Sequence, residues 1–196
     1  THFAAIILAQ HLHLDPDKDL ILVPGGPDAE RVAAMSAGKI DAAIFNSSTV
    51  PIAKRMGLVE LVKIPDLKVE VQGNGMATTR AYIKTNREVV KSALKGYIEG
   101  IHFIFNNKQA AQKVFAKYMR TNDADVLESS YQAYISTTPK RPYPTLKGLQ
   151  FLLDRLVPSM PQAKTAKPEQ FVDMSFLQEL DKEGFFNEMA KRYPAR

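Results

Sequence analysis

Residues 38–49 read Gly38-Lys39-Ile40-Asp41-Ala42-Ala43-Ile44-Phe45-Asn46-Ser47-Ser48-Thr49: a helix stop, a short apolar run and a polar helix start in succession. Gly38 suits the left-handed position that closes a helix. Ile40–Phe45 is apolar enough for a buried strand, and Asn46, Ser47 and Ser48 offer capping side chains where the next helix begins. A strand that empties into small polar residues at a helix start puts free backbone N–H groups and hydroxyls at a sheet edge. That edge is where open α/β folds hold small ligands. The stretch therefore predicts an α/β fold and a binding protein.

The same unit recurs along residues 1–64. Thr1 to His13 reads as an amphipathic helix with Thr1 as its cap, then the turn DPDKD and a strand at Leu20–Val23. Gly25-Gly26-Pro27 opens a second helix to Ala37, with proline suited to the first helical position. Ser47 or Ser48 caps a third helix that reaches Met56 and stops at Gly57, and Leu58–Ile64 is again strand-like. Strands separated by helices of this length predict a parallel sheet with right-handed crossovers.

Beyond this the pattern changes. LKVEVQGNGMATT (67–79) alternates as a strand does but breaks at Gly73-Asn74-Gly75, which reads as an extended connection. From Arg80 onward the pattern is helical. Thr85-Asn86-Arg87-Glu88 fits a capping box, and Val90, Leu94, Tyr97, Ile101 and Phe105 form a stripe behind it. Further helices are predicted at Gln109–Tyr118, Asp125–Ile135, Leu146–Leu156, Ser175–Glu183 and Phe185–Arg192, the last two divided by Gly184. PKRPYP and PSMPQAKTAKP are proline-rich connectors.

The 196 residues suffice for one good-sized domain or two small lobes, with 45% hydrophobic and 24% charged residues. A net charge of +5 and a pI near 9.3 are mildly basic. The Lys and Arg residues are scattered, without the dense basic and aromatic clustering of a nucleic-acid binder. There is no cysteine, which excludes disulfides, thiolate metal sites and cysteine nucleophiles. No apolar run reaches the length of a membrane helix. The chain lacks an initiating Met and opens on a helix cap, so it reads as a piece of a longer protein with any targeting segment upstream.

The candidate site is the set of helix starts: Thr1 and His2, Gly25 and Gly26, and Asn46, Ser47 and Ser48. Each offers amides of partial positive charge, and together they would cradle a carboxylate, sulfonate or phosphate-like group. Singly, each is also just a cap, and Gly25-Gly26 also serves tight turning. Gly73-Asn74-Gly75 lacks the third glycine of a dinucleotide loop, since Thr78 stands there. His11 and His13, two apart on a helix, point to different faces and read as surface residues rather than a metal pair. His102 lies beside the apolar stripe as a packed or half-exposed side chain. Phe103, Phe105, Phe185 and Phe186 read as core or lobe-interface residues. Asn46-Ser47-Ser48 matches a glycosylation sequon at a poor, half-buried position. No catalytic constellation, metal site or cofactor motif emerges from spacing.

The opening THFAA, the GGP turn, AMSAGKIDAA, QGNGMATTRAYI and KPEQFVDMSFLQELDKEGFF resemble extracytoplasmic solute-binding proteins of the nitrate, sulfonate and taurine type. That group includes the NMT1/THI5-like branch, and the likeness runs over nearly all of the chain. It implies a periplasmic-binding-protein-like (type II) fold of two α/β lobes that close on a ligand, here incomplete. Residues 1–71 would be the second lobe, 72–79 the hinge, and 80–196 the helical remainder of the first lobe. Thr1, His2, Asn46, Ser47 and Ser48 would touch the ligand, with Gln72 to Asn74 near the hinge. The implied function is delivery of a small anionic or zwitterionic solute (sulfonate, nitrate, carboxylate or pyrimidine-like) to an ABC permease in the periplasm or another extracytoplasmic space. The alternatives are a pyrimidine-synthesising enzyme of the THI5 branch, which looks to depend on a cysteine-rich segment, and a ligand-sensing module. An incomplete sheet would also expose an edge, so self-association is expected.

Overall fold

The computed structural model describes residues 2–67, 69–70 and 72–194. Ten α-helices lie among them: α1 (His2–His11), α2 (Asp28–Ser36), α3 (Val50–Arg55), α4 (Arg80–Thr85), α5 (Arg87–Asn106), α6 (Lys108–Met119), α7 (Ala124–Thr137), α8 (Leu146–Leu156), α9 (Ser175–Lys182) and α10 (Phe185–Arg192). Single 3-10 turns occur at Ile64–Leu67, Pro161–Lys164 and Pro168–Phe171. No described helix is long and apolar enough to cross a membrane. The chain divides into two compact units, one of residues up to Val69 with Gln112–Thr137, the other of Glu70–Ala111 with residues from Thr138 onward. The division falls inside α6.

In the first unit α3 packs against α7, and α1 against the Ile64–Leu67 turn. Ile7, Ala9, Val32, Ala53, Val126 and Tyr131 are its buried apolar residues. The end of α3 is tied to the start of α7 by Arg55, which pairs with Asp123 and, at 3.1 Å, with Asp125. Gly38 (φ 65°) and Gly57 (φ 82°) follow α2 and α3 in the left-handed conformation that glycine adopts freely.

The second unit is built on α5, α9 and α10. Ile98, Leu177, Leu180, Phe186 and Met189 form its core, flanked by Leu94, Tyr143, Phe185 and Tyr193. Gly184 (φ 78°) turns the chain between α9 and α10. The Arg87 guanidinium lies 4.2 Å from the Phe176 ring centroid and pairs with Glu179, so packing and charge lock α5 to α9 together. Lys91 adds a bridge to Glu183 at 2.5 Å. The hydrogen bond from Arg87 holds the Glu179 carboxyl below its ordinary pKa, and Lys91 does the same for Glu183. Thr145 caps α8 by accepting the Gly148 N–H at 3.2 Å.

His102 is buried in α5, its ring 6.4 Å from that of Tyr193. Neither ring nitrogen has a partner in hydrogen-bond geometry. Burial lowers its pKa; the nearby Lys140 backbone pulls the value back up, and the Lys140 charge lowers it further. The packed reading of this histidine fits its position.

The α/β expectation, periplasmic-binding-protein-like with a parallel-sheet lobe, is overturned: the chain is mostly helical, with no strand among the described residues. The segments at 20–23, 40–45 and 58–63 are neither helical nor paired, and no backbone–backbone hydrogen bond joins any two of them among the described residues. An apolar run of this kind fixes a strand only when a second strand takes up its N–H and C=O groups. Ile21 is 93% exposed and Leu61 80%, the reverse of a sheet interior. Residues 72–79 are likewise neither helical nor paired.

Two capping expectations also fail. Thr85 ends α4, and its hydroxyl donates back to the Ala81 carbonyl at 3.1 Å instead of capping α5. Neither Ser47 nor Ser48 caps α3; Thr49 occupies that position, without a side-chain bond.

Candidate functional site

The turn before α2 contains Gly25 and Gly26, both singled out from sequence. Gly26 has φ 65°, a conformation that strains any residue with a Cβ. A Cβ on Gly25 would come within 2.8 Å of Arg31 Cγ and 2.9 Å of its Cδ. The bare glycine backbone is what lets the Arg31 side chain fold back along the turn. Three residues apart on α2, Asp28 and Arg31 share a helix face and form an ion pair. Their side chains keep only 15% and 12% of their surface exposed, so solvent screens the pair weakly. Arg31 also donates to the Gly26 carbonyl, and its guanidinium carbon stands 5.9 Å from the Phe45 ring centroid.

Asn46 completes the cluster. Its backbone N–H donates to Asp28 Oδ2 at 2.8 Å and its side-chain amide donates to Oδ1 at 3.2 Å. Three donors, the Asn46 N–H, the Asn46 amide and the Arg31 guanidinium, thus converge on one carboxylate. Charge-assisted bonds of this kind are the stronger class. The Nε of Arg31 is buried and has no hydrogen-bond partner. The arrangement is a set of donors closed around the protein's own Asp28 carboxylate.

The other expected site residues are placed as follows. Ser47 presents its carbonyl to the Ser129 hydroxyl at 2.7 Å, which ties the turn to α7. Ser48 lies half-buried in the turn before α3. Thr1 lies outside the described residues. His2 begins α1, exposed, its ring 6.1 Å from Phe3, and no described hydrogen bond joins it to Asp28, Arg31 or Asn46. Gln72 and Asn74 belong to the second unit. There Gln72 donates to the Asn74 carbonyl at 2.6 Å and accepts the Thr145 N–H at 2.9 Å.

So Gly25, Gly26 and Asn46 meet, through two residues that the sequence reading did not single out. The signal for Asp28 and Arg31 was present in their i,i+3 spacing and in the position of an acid in a first helical turn. His11 and His13 are exposed, and no group of three metal-ligating side chains occurs among the described residues. Two surface hollows in the second unit, one lined by Tyr143, Gln178, Asp181 and Lys182, the other by Asn106, Asn107, Arg192, Tyr193 and Pro194, contain none of the expected residues.

No curated protein and no solved structure matches the chain. The family model described as NMT1/THI5 like matches residues 7–111, more than half of the sequence and all of the Gly25–Asn46 cluster. The chain therefore belongs to the NMT1/THI5-like family, which includes solute-binding proteins of ABC importers as well as THI5 enzymes.

Proposed function

We propose that this protein binds a small anionic or zwitterionic organic solute and hands it to an ABC permease in an extracytoplasmic compartment. The observation that carries the reading is the convergence of Asn46 and Arg31 donors on a single carboxylate within the family-matched span. A carboxylate or sulfonate group offers the same paired oxygens, so donors aimed at Asp28 are equally suited to a solute. Gly25 and Gly26 keep the backbone of the turn close to that point.

The test is a thermal-shift screen against sulfonates, carboxylates, nitrate and pyrimidines, followed by calorimetry on each hit. A hit is expected among the sulfonates or carboxylates. Asn46→Ala should weaken it about tenfold, the worth of one hydrogen bond to a charged group. Unchanged affinity would remove Asn46 from the site, and turnover of the bound compound would replace transport with catalysis.

A further inference from the structure

We infer that Asp28 is a built-in competitor for the solute's anionic group, which must displace it from Asn46 and Arg31 in order to bind. This rests on the solute-binding reading above and deepens it. Asp28 Oδ2 takes the Asn46 N–H, and Oδ1 takes both the Asn46 amide and an Arg31 amine. These three donors are therefore already used.

The occupation is incomplete in one respect. Arg31 reaches Asp28 through Nη2 and the Gly26 carbonyl through Nη1, while its Nε is buried without a partner. The Nε–Nη2 edge of a guanidinium is a fork that matches two oxygens of one carboxylate or sulfonate. Asp28, three residues away on the same helix and already shared with Asn46, uses half of that fork. An incoming monoanion is free of that tether and can use both teeth. It thereby satisfies a donor that the ligand-free protein leaves unpaired.

The Phe45 ring beside the guanidinium and the glycine at position 25 both favour this planar, folded-back arginine over a lysine. A competitor on the same donors lowers apparent affinity by the fraction of molecules in which the donors are free. Asp28 thus sets a threshold: a compact organic monoanion that makes the full fork passes it, and a weakly held anion does not.

Methanesulfonate and acetate serve as probes, titrated by calorimetry into the wild-type protein and Asp28→Asn. The asparagine preserves shape but weakens the hold on Arg31, so at least one probe should bind about tenfold more tightly to the variant. In the wild-type protein, the same probe should shift the Arg31 Nε–H and Asn46 amide resonances in nitrogen-correlated NMR spectra. That second readout stands even where Asp28→Asn folds poorly. Equal or weaker binding to a folded variant, or probe binding that leaves both resonances in place, would overturn the inference. If the wider screen still yields a hit, solute binding survives and only the competitor role falls. If neither probe binds either protein and the screen is empty, both fall together.

Discussion

Helices α9 and α10 of the second unit hide their apolar side chains, whereas the 20–23 and 58–63 segments of the first unit display theirs. Leu180 and Phe186 are 0% and 2% exposed, against 93% for Ile21 and 80% for Leu61. Both regions are rich in leucine, isoleucine or phenylalanine, so hydrophobicity alone does not separate them. What separates them is the backbone. A helix pairs its own N–H and C=O groups and needs neighbours only for one face. An extended segment has no internal partners, so without an adjacent strand it retains water on its backbone and cannot bury its side chains.

Mutations can break or sharpen this contrast. The largest effect is expected at the core of the second unit, where Leu180→Ala should cost about 3 kcal/mol by urea denaturation, through lost transfer energy and the cavity left behind. Next comes a pH effect in the same unit. The pKa of His102 is lowered in the folded protein by burial, so its neutral form is favoured there. The associated stability is fully present above the ordinary imidazole value of about 6.5 and is lost as pH falls from that value through the lowered one. His102→Leu should flatten the stability profile across that window. The depressed carboxylates Glu179 and Glu183 act only at lower pH, as pH falls below the ordinary carboxylate range through their lowered values. An unaltered slope between neutrality and pH 5 would place the titrating group elsewhere. The smallest effect is expected in the extended region: Leu61→Ala should change stability by less than about 0.5 kcal/mol. A loss there approaching that of Leu180→Ala would mean that the segment is packed.

The same distinction explains what the sequence made legible. The bounds of α8 and α10 are those expected from periodicity and turn residues, because a helix is written into a single stretch of chain. Gly38, Gly57 and Gly184 were likewise readable as stops, since each adopts the left-handed conformation. On α5 the buried line runs beside the expected stripe: Ile98 is wholly buried, while Tyr97, a member of the stripe, is 38% exposed. Strands were not legible, because a run such as Ile40–Phe45 does not say what lies beside it. Nor was the partner of Asn46, whose bonds to Asp28 span eighteen positions of sequence. Local rules point to Asn46 alone, and only the folded chain brings Asp28 to it.

Residue-resolved amide hydrogen exchange tests the contrast between the two regions most directly. The amides of Ile98, Ile101 and Leu180 should exchange slowly, at rates set by unfolding of the second unit. Those of Ile21, Leu22, Val59 and Leu61 should exchange at nearly the rate of an unstructured peptide, with Asn46 slowed beside them by its bond to Asp28. Protection of the 20–23 and 58–63 amides equal to that of α5 would contradict the account, because it would require strand partners where the structure has none among the described residues.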